Sequence, residues 1–306
     1  MLGYFLRRLG GTIPVLLAVS LFAFGFVRLL PGDPARLIAG PDATLQDVQA
    51  VRERLGLDQP LWQQYVRYMA STVRLSLGTS ARSGQPVLTE IGERFMPTFN
   101  LSVVAMVWSC IVGVGLGVLS GVKRGNWIDQ GSMVVAVSGI SFPSFWLGLL
   151  LIDLCSVRLG WLPTGGDHDW KSYVMPAFTL GLPAAAVMAR FTRSAFVEVA
   201  QEDYVRTARS KGLPERVVIW RHAFRNALIP VLTLAGLQFG FLLGGAIVIE
   251  TVFSWPGLGR LLVESVSYRD YPVIQAEILL FSTEFVLINL LIDLLYAVVN
   301  PEIRLR

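Results

Sequence analysis

The chain has 306 residues, of which 53% are hydrophobic and 16% charged, against about 25% charged in soluble domains, and its mean hydropathy is +0.56. That balance excludes an ordinary soluble protein. It also disposes of the net charge of +4 as a nucleic-acid signal, because the basic residues lie between apolar runs and form no single stripe. Cys110 and Cys155 fall inside apolar runs and His168 and His222 in loops, so neither a disulfide framework nor a metal site is expected.

A helix needs about 20 apolar residues to cross a bilayer core, and such runs predict six spans. The first, at residues 10–30, follows Arg7 and Arg8. It is too long for a signal-peptide core and lacks a small-residue cleavage site, so residues 1–30 are expected to be a cytoplasmic N-terminus and an uncleaved first helix. Pro31-Gly32-Asp33-Pro34 stops it. Residues 31–95 are polar, mixed in charge and carry helical patches such as Leu45–Leu55; a small, mostly helical extramembrane region is expected there. The other five spans are predicted at 98–120, 131–157, 174–196, 227–249 and 277–299, so that 96–306 forms a five-helix core. The fold class expected is an all-α integral membrane protein with six transmembrane helices. Gly113 and Gly117, and Gly236, Gly240 and Gly244, recur at four-residue spacing, which lets helix backbones approach closely. That spacing serves packing within the chain or a wall at an interface or pore.

Orientation follows from Lys and Arg in short loops. One side holds Arg7, Arg8, Lys123, Arg124, Arg190, Arg193, Arg206, Arg209, Lys211, Arg216, Arg221, Arg225, Arg304 and Arg306. The other holds only Arg158, Lys171, Arg260 and Arg269, apart from the long 31–95 segment. Both termini are therefore expected in the cytoplasm, with 31–95 outside.

No catalytic set is visible. Lys123, Lys171 and Lys211 follow Val122, Trp170 and Ser210, so no P-loop is present. There is no nucleophile elbow, no His-Glu-x-x-His and no histidine within a span, so no catalytic, cofactor-binding or metal residue is assigned to this chain. Asp153, Glu284 and Asp293 lie inside spans, where a charge costs about 2.5–3.5 kcal/mol on insertion scales. Glu277 and Glu284, seven apart, share one helix face, and Asn289 and Asp293, four apart, another. These residues read either as structural pairs or, for Glu284 and Asp293, as lining a watery translocation path.

The loop 197–226 is the most informative stretch. Gly212 followed by Leu213-Pro214 is a helix stop and restart, so two short amphipathic helices are predicted, with apolar faces suited to docking. Tyr204-Val-Arg-Thr-Ala-Arg-Ser-Lys-Gly212 and Arg221-His-Ala-Phe-Arg-Asn-Ala-Leu-Ile-Pro230 closely resemble the coupling loop of ABC importer permeases of the dipeptide, oligopeptide and nickel branch. Leu30-Pro31-Gly32-Asp33-Pro34, Glu250-Thr-Val-Phe-Ser-Trp-Pro-Gly-Leu-Gly259-Arg260, Arg269-Asp-Tyr-Pro272 and Asn300-Pro-Glu-Ile-Arg304 extend the resemblance over the whole chain. The general permease signature has Glu-Ala-Ala where this chain has Arg206-Thr207-Ala208, keeping only the last alanine and Gly212. Within the branch, Ala35-Arg-Leu-Ile-Ala-Gly40, Arg94-Phe-Met-Pro97, Ala136-Val-Ser-Gly-Ile-Ser-Phe-Pro143 and Gln275-Ala-Glu-Ile-Leu-Leu-Phe-Ser282 are most similar to permeases that import glutathione.

The resemblance implies the type I ABC importer permease fold in the bacterial inner membrane. It implies a second homologous permease enclosing one path with this chain, ATPase subunits that hold ATP and Mg, a periplasmic substrate-binding protein, and no partner nucleic acid. Tyr204, Arg206, Thr207, Ala208, Gly212, Leu213, Arg216 and Val217 are the expected ATPase-coupling residues, with Leu213 and Val217 as apolar anchors and Arg206 and Arg216 at the rim. The expected cargo is glutathione or di- and oligopeptides. A nickel importer of the same branch and an ion-coupled secondary transporter are the alternatives, the latter favoured by inverted repeats, of which none is clear here.

Overall fold

The computed structural model describes residues 2–29, 33–40 and 43–299. Its helices in chain order are α1 Leu2–Leu29, α2 Pro34–Ala39, α3 Leu45–Leu55, α4 Leu61–Val73, α5 Val87–Val122, α6 Trp127–Ser141, α7 Ser144–Leu151, α8 Trp170–Val199, α9 Asp203–Ser210, α10 Glu215–Val217, α11 Arg225–Val252, α12 Leu258–Tyr268 and α13 Tyr271–Val299. π-helical turns, Ile152–Arg158 and Val218–Phe224, follow α7 and α10. No β-strand occurs among the described residues. The motif residues 30–32 and 300–304, and the charges Arg304 and Arg306, lie outside the described residues.

Among the described residues, five helices are long and apolar enough to cross a membrane: Gly10–Leu29, Val87–Val122, Trp170–Val199, Glu215–Val252 and Tyr271–Ile292. The remaining expected span, 131–157, is not one straight helix. Trp127–Ser141 and Ser144–Arg158 meet at 97°, so the six spans of the sequence become five and a bent pair. Pro143 is the cause. A proline pushes the residue before it into extended backbone, and Phe142 has φ −90° and ψ 131°; the chain then restarts as a helix at Ser144.

The chain forms two compact units, Met1–Pro97 with Pro256–Val286 and Thr98–Trp255 with Leu287–Arg306. Residues 256–286 thus group with residues 1–97.

In the first unit α4 lies along α1. Phe24 meets Tyr65 edge-on at 5.3 Å, Ser20 Oγ and Tyr65 OH are 2.8 Å apart, and Arg28 donates to Gln64 Oε1 at 2.6 Å. Burial pushes the Tyr68 phenol up to about 12. Asp33 caps α2 by accepting from Ala35 N and also accepts from Arg52 at 2.5 Å. Val87, Ile91, Leu258, Leu261, Val273 and Ala276 form an apolar core. Beside it, Ser80 Oγ donates to Asp270 at 2.5 Å and Arg82 to Glu264 at 2.8 Å. Burial pushes the Glu264 carboxyl up, but hydrogen bonds from Arg82 and Arg260 outweigh it and hold it below the usual carboxylate range.

In the second unit α8 is the central helix, buried along most of its length. Trp108 Nε1 donates to Ala177 O at 2.7 Å and Ser109 Oγ to Gly181 O at 2.7 Å, closing α5 onto α8. A Cβ at Gly113 would stand 2.6 Å from Ala185 O, and one at Gly117 2.6 Å from Ala189 O. Here the four-residue glycine spacing serves packing within the chain. The fifth-span glycines divide: a Cβ on Gly236 would collide with Ile292, whereas at Gly244 it would meet open space.

Asp129 at the start of α6 is buried and grips Arg193 of α8 with a two-pronged pair, Nε to Oδ1 at 2.6 Å and Nη2 to Oδ2 at 2.8 Å. Ser120 of α5 and the Gly125 N–H complete its shell. Arg193, counted from sequence as a loop cation, is a tie between three helices. Removing one partner of a buried pair strands the other charge; with Arg193 30% exposed, Asp129→Asn is expected to cost about 2 kcal/mol. Thermal unfolding in detergent reads this as a lower midpoint. Exchange of the two residues is expected to recover part of the loss.

Candidate functional site

The segment between α8 and α11 holds the expected ATPase-coupling residues. α9 runs for eight residues and ends where Gly212 turns left-handed at φ +74°. The Gly212 N–H donates to Arg209 O at 2.9 Å, and Pro214 then sets φ −59° at the cap of α10. The second helix is not short, as the sequence led one to expect. α10, the π-turn Val218–Phe224 and α11 continue as one helix from Glu215 to Val252, so the loop's second half is the head of a membrane span.

Three contacts fix the angle between the halves. Val205, Ala208 and Val218 bury one another in a small apolar core. Arg209 reaches Glu215 with two hydrogen bonds of 3.2 and 2.8 Å, which hold its guanidinium above its ordinary value. Asn226 Nδ2 donates to Tyr204 OH at 2.8 Å. Thr207 Oγ1 bonds back to Asp203 O at 2.8 Å, an ordinary side-chain bond within a helix turn.

This arrangement sorts the expected residues. Tyr204, Arg206, Thr207, Gly212, Leu213 and Arg216 are exposed and Val217 is partly so. Ala208, only 5% exposed, faces inward and holds α9 against Val218. Arg206 leans on Asp203 at 3.5 Å in an exposed pair of little energetic weight.

Glu284 is half-buried on α13, and its Oε2 has no hydrogen-bond partner among the described residues. The side chain of Asp293 lies outside the described residues. Asp153 forms an exposed pair with Arg158 at 2.8 Å, a structural role. The full burial of two acidic residues was not expected from the sequence. Glu250 is fully buried and accepts from Thr98 Oγ1 at 2.6 Å; it was placed beyond the span, but α11 continues to Val252. Glu277 is also fully buried, although it stood at the expected end of its span. No group of three or more His, Cys, Asp or Glu able to hold a metal occurs among the described residues.

Residues 113–305 match the profile of the family described as binding-protein-dependent transport system inner membrane component, and residues 1–102 match its N-terminal counterpart. The glutathione transport system permease protein GsiC of Escherichia coli O6:H1 is 59% identical over 306 residues, covering all of both chains. The proteins of the same name from Escherichia coli K12 and Shigella dysenteriae serotype 1 are 58% identical with the same coverage. Among solved structures, the MetNI methionine ABC transporter in an inward-facing conformation has a chain similar in fold, with a TM-score of 0.58 at 18% identity, over 70% of this chain and 98% of that one. An amino acid ABC transporter gives a TM-score of 0.52 at 16% identity, over 70% and 94%. By full-length sequence and by fold, this chain belongs to the binding-protein-dependent transport system inner membrane component family, the permeases of ABC importers.

Proposed function

We propose that this chain is a permease subunit of an ATP-driven importer for glutathione or closely related small peptides. The observation that carries the reading is the 59% identity to a glutathione permease over the full length of both chains. The match covers every span and loop of both chains.

In this reading the exposed surface of Tyr204, Arg206, Leu213, Arg216 and Val217 docks on ATPase subunits. They bind ATP and Mg and perform the hydrolysis. A second permease closes the path, and a periplasmic binding protein delivers the peptide. Both termini face the cytoplasm, a reading supported by the basic residues around α9 and α10. Docking on an ATPase would move α9, and the Arg209–Glu215 and Val205–Ala208–Val218 contacts would pass that motion to α11 as one rigid piece. Such body movement between two packings is how interfaces switch. The lack of any nucleotide motif in this chain supports the division of labour.

Deleting the gene from its own host is expected to abolish uptake of labelled glutathione, and a plasmid copy to restore it. Loss of uptake of a different peptide alone would move the substrate assignment, and unchanged uptake of every peptide tested would overturn the reading.

A further inference from the structure

We propose that the groove between α5 and the head of α11 seats one anionic phospholipid from the leaflet on the coupling-loop side. The inference rests on the membrane topology and does not depend on the identity of the cargo. The groove has a volume of about 640 Å³ and is lined almost wholly by apolar atoms. Val118, Met188 and Val231 are buried and form its floor, while Ile111, Leu119 and Trp220 stand exposed along its rims.

Depth selects the occupant. The α5 wall runs from Cys110 to Val122, which at 1.5 Å per residue is about 18 Å. A hydrocarbon core about 30 Å thick allows about 15 Å to each leaflet. The groove is therefore one leaflet deep. A spanning helix of a partner would need a groove through both leaflets, whereas an acyl chain entering from one interface needs only this depth.

Charge selects the headgroup. The α5 wall ends at Val122 and is followed by Lys123 and Arg124. On the facing wall Trp220 is followed by Arg221, and Phe224 by Arg225. All four cations are exposed. The acidic residues nearest to them in sequence are engaged elsewhere, Asp129 with Arg193 and Glu215 with Arg209. Trp220, edge-on to Phe224 at 5.0 Å, has the amphipathic ring that marks the level of headgroups. Basic pockets between transmembrane helices on the cytoplasmic side take acidic headgroups. A lipid seated here presses on the π-turn Val218–Phe224, the piece that joins the coupling segment to α11.

Gly115 gives direct access to the question, because it lines the groove and a Cβ there would meet nothing within 4 Å. The photo-reactive residue p-benzoylphenylalanine, placed at position 115 in the whole complex in native membranes, is expected to form an adduct with the mass of a phospholipid. Phosphatidylglycerol or cardiolipin should be enriched over phosphatidylethanolamine relative to the membrane, by about fivefold for each basic residue engaged. The triple variant Lys123→Glu, Arg221→Glu, Arg225→Glu should keep the lipid adduct and lose the enrichment. Gly115→Leu, which fills the groove, should lose the co-purifying anionic lipid in native mass spectrometry at an unchanged unfolding midpoint. An adduct with a partner polypeptide, adducts in plain membrane proportion, or full retention of anionic lipid by Gly115→Leu would each overturn the proposal.

Discussion

Gly212→Pro is expected to abolish ATP-driven uptake by the assembled importer, while Gly212→Asn retains most of it. Gly212 has φ +74°, a conformation that costs an ordinary L-residue about 1–2 kcal/mol and that asparagine tolerates better than most. Proline cannot adopt it, since its ring holds φ near −65°. It would also delete the N–H that donates to Arg209 O at 2.9 Å. A Cβ at this position meets nothing within 4 Å, so side-chain crowding does not enter and the backbone alone sets the ranking. A turn forced out of the left-handed region re-aims Leu213 and Pro214, and with them the Arg209–Glu215 bonds that fix α9 against the head of α11. The measurement is peptide transported per ATP hydrolysed in proteoliposomes. The ratio should fall at least tenfold in the proline variant, less in Gly212→Ala, and least in Gly212→Asn. A proline variant with the parental ratio would remove the loop from the coupling step.

The parts of the fold that were legible in the sequence are those written in local pattern. Apolar runs located the spans, and Gly212-Leu213-Pro214 marked a helix stop that the structure shows as a left-handed turn. The break in the third span was also present locally, in Phe142-Pro143, but an unbroken apolar composition on both sides hid it. Composition reports solubility in lipid and is blind to the direction of a helix axis. The helix ends were misjudged for a related reason: α5 starts at Val87 and α11 runs on to Val252, past the residues where hydropathy falls, because a helix persists beyond its apolar part when protein covers it. Glu250 illustrates this, fully buried and bonded to Thr98 152 residues away.

Pairings between distant segments were beyond reach from one sequence. Nothing near Arg82 points to Glu264, 182 residues on, and Arg193 looks like any loop arginine until Asp129 is seen opposite. For the segment between α8 and α11, the sequence marked the helix stop at Gly212 but not which way each residue faces. Ala208, expected among the docking residues, packs inward, because at Val205, Ala208 and Val218 the helix spacing of three brings two residues to one face and the turn at Gly212 brings the third over them.

The same helix α5 offers a test in which two neighbouring glycines should respond differently to alanine. Gly117→Ala is expected to destabilise the protein by about 1–3 kcal/mol, the range for overpacking a filled interface. The added methyl would stand 2.6 Å from both Ala189 O and Thr192 Cβ, and the first of these is backbone that moves only if α8 moves. A Cβ at Gly113 or Gly121, one turn before and after, would likewise stand 2.7 Å from Met188 Cβ or 2.8 Å from Phe196 Cδ1, so the helix cannot tilt away at one point alone. Gly115, two residues earlier, lies on the opposite side, and a methyl there meets nothing within 4 Å. Gly115→Ala should therefore be neutral or gain up to about 1 kcal/mol from the better helix propensity of alanine. Unfolding midpoints of the two variants in the same detergent decide the matter. A clear loss at position 117 beside no loss at 115 fits a helix whose glycine face is clamped to α8 and whose other face is open. Equal shifts would mean that propensity, and not the α5–α8 contact, is why these glycines are there.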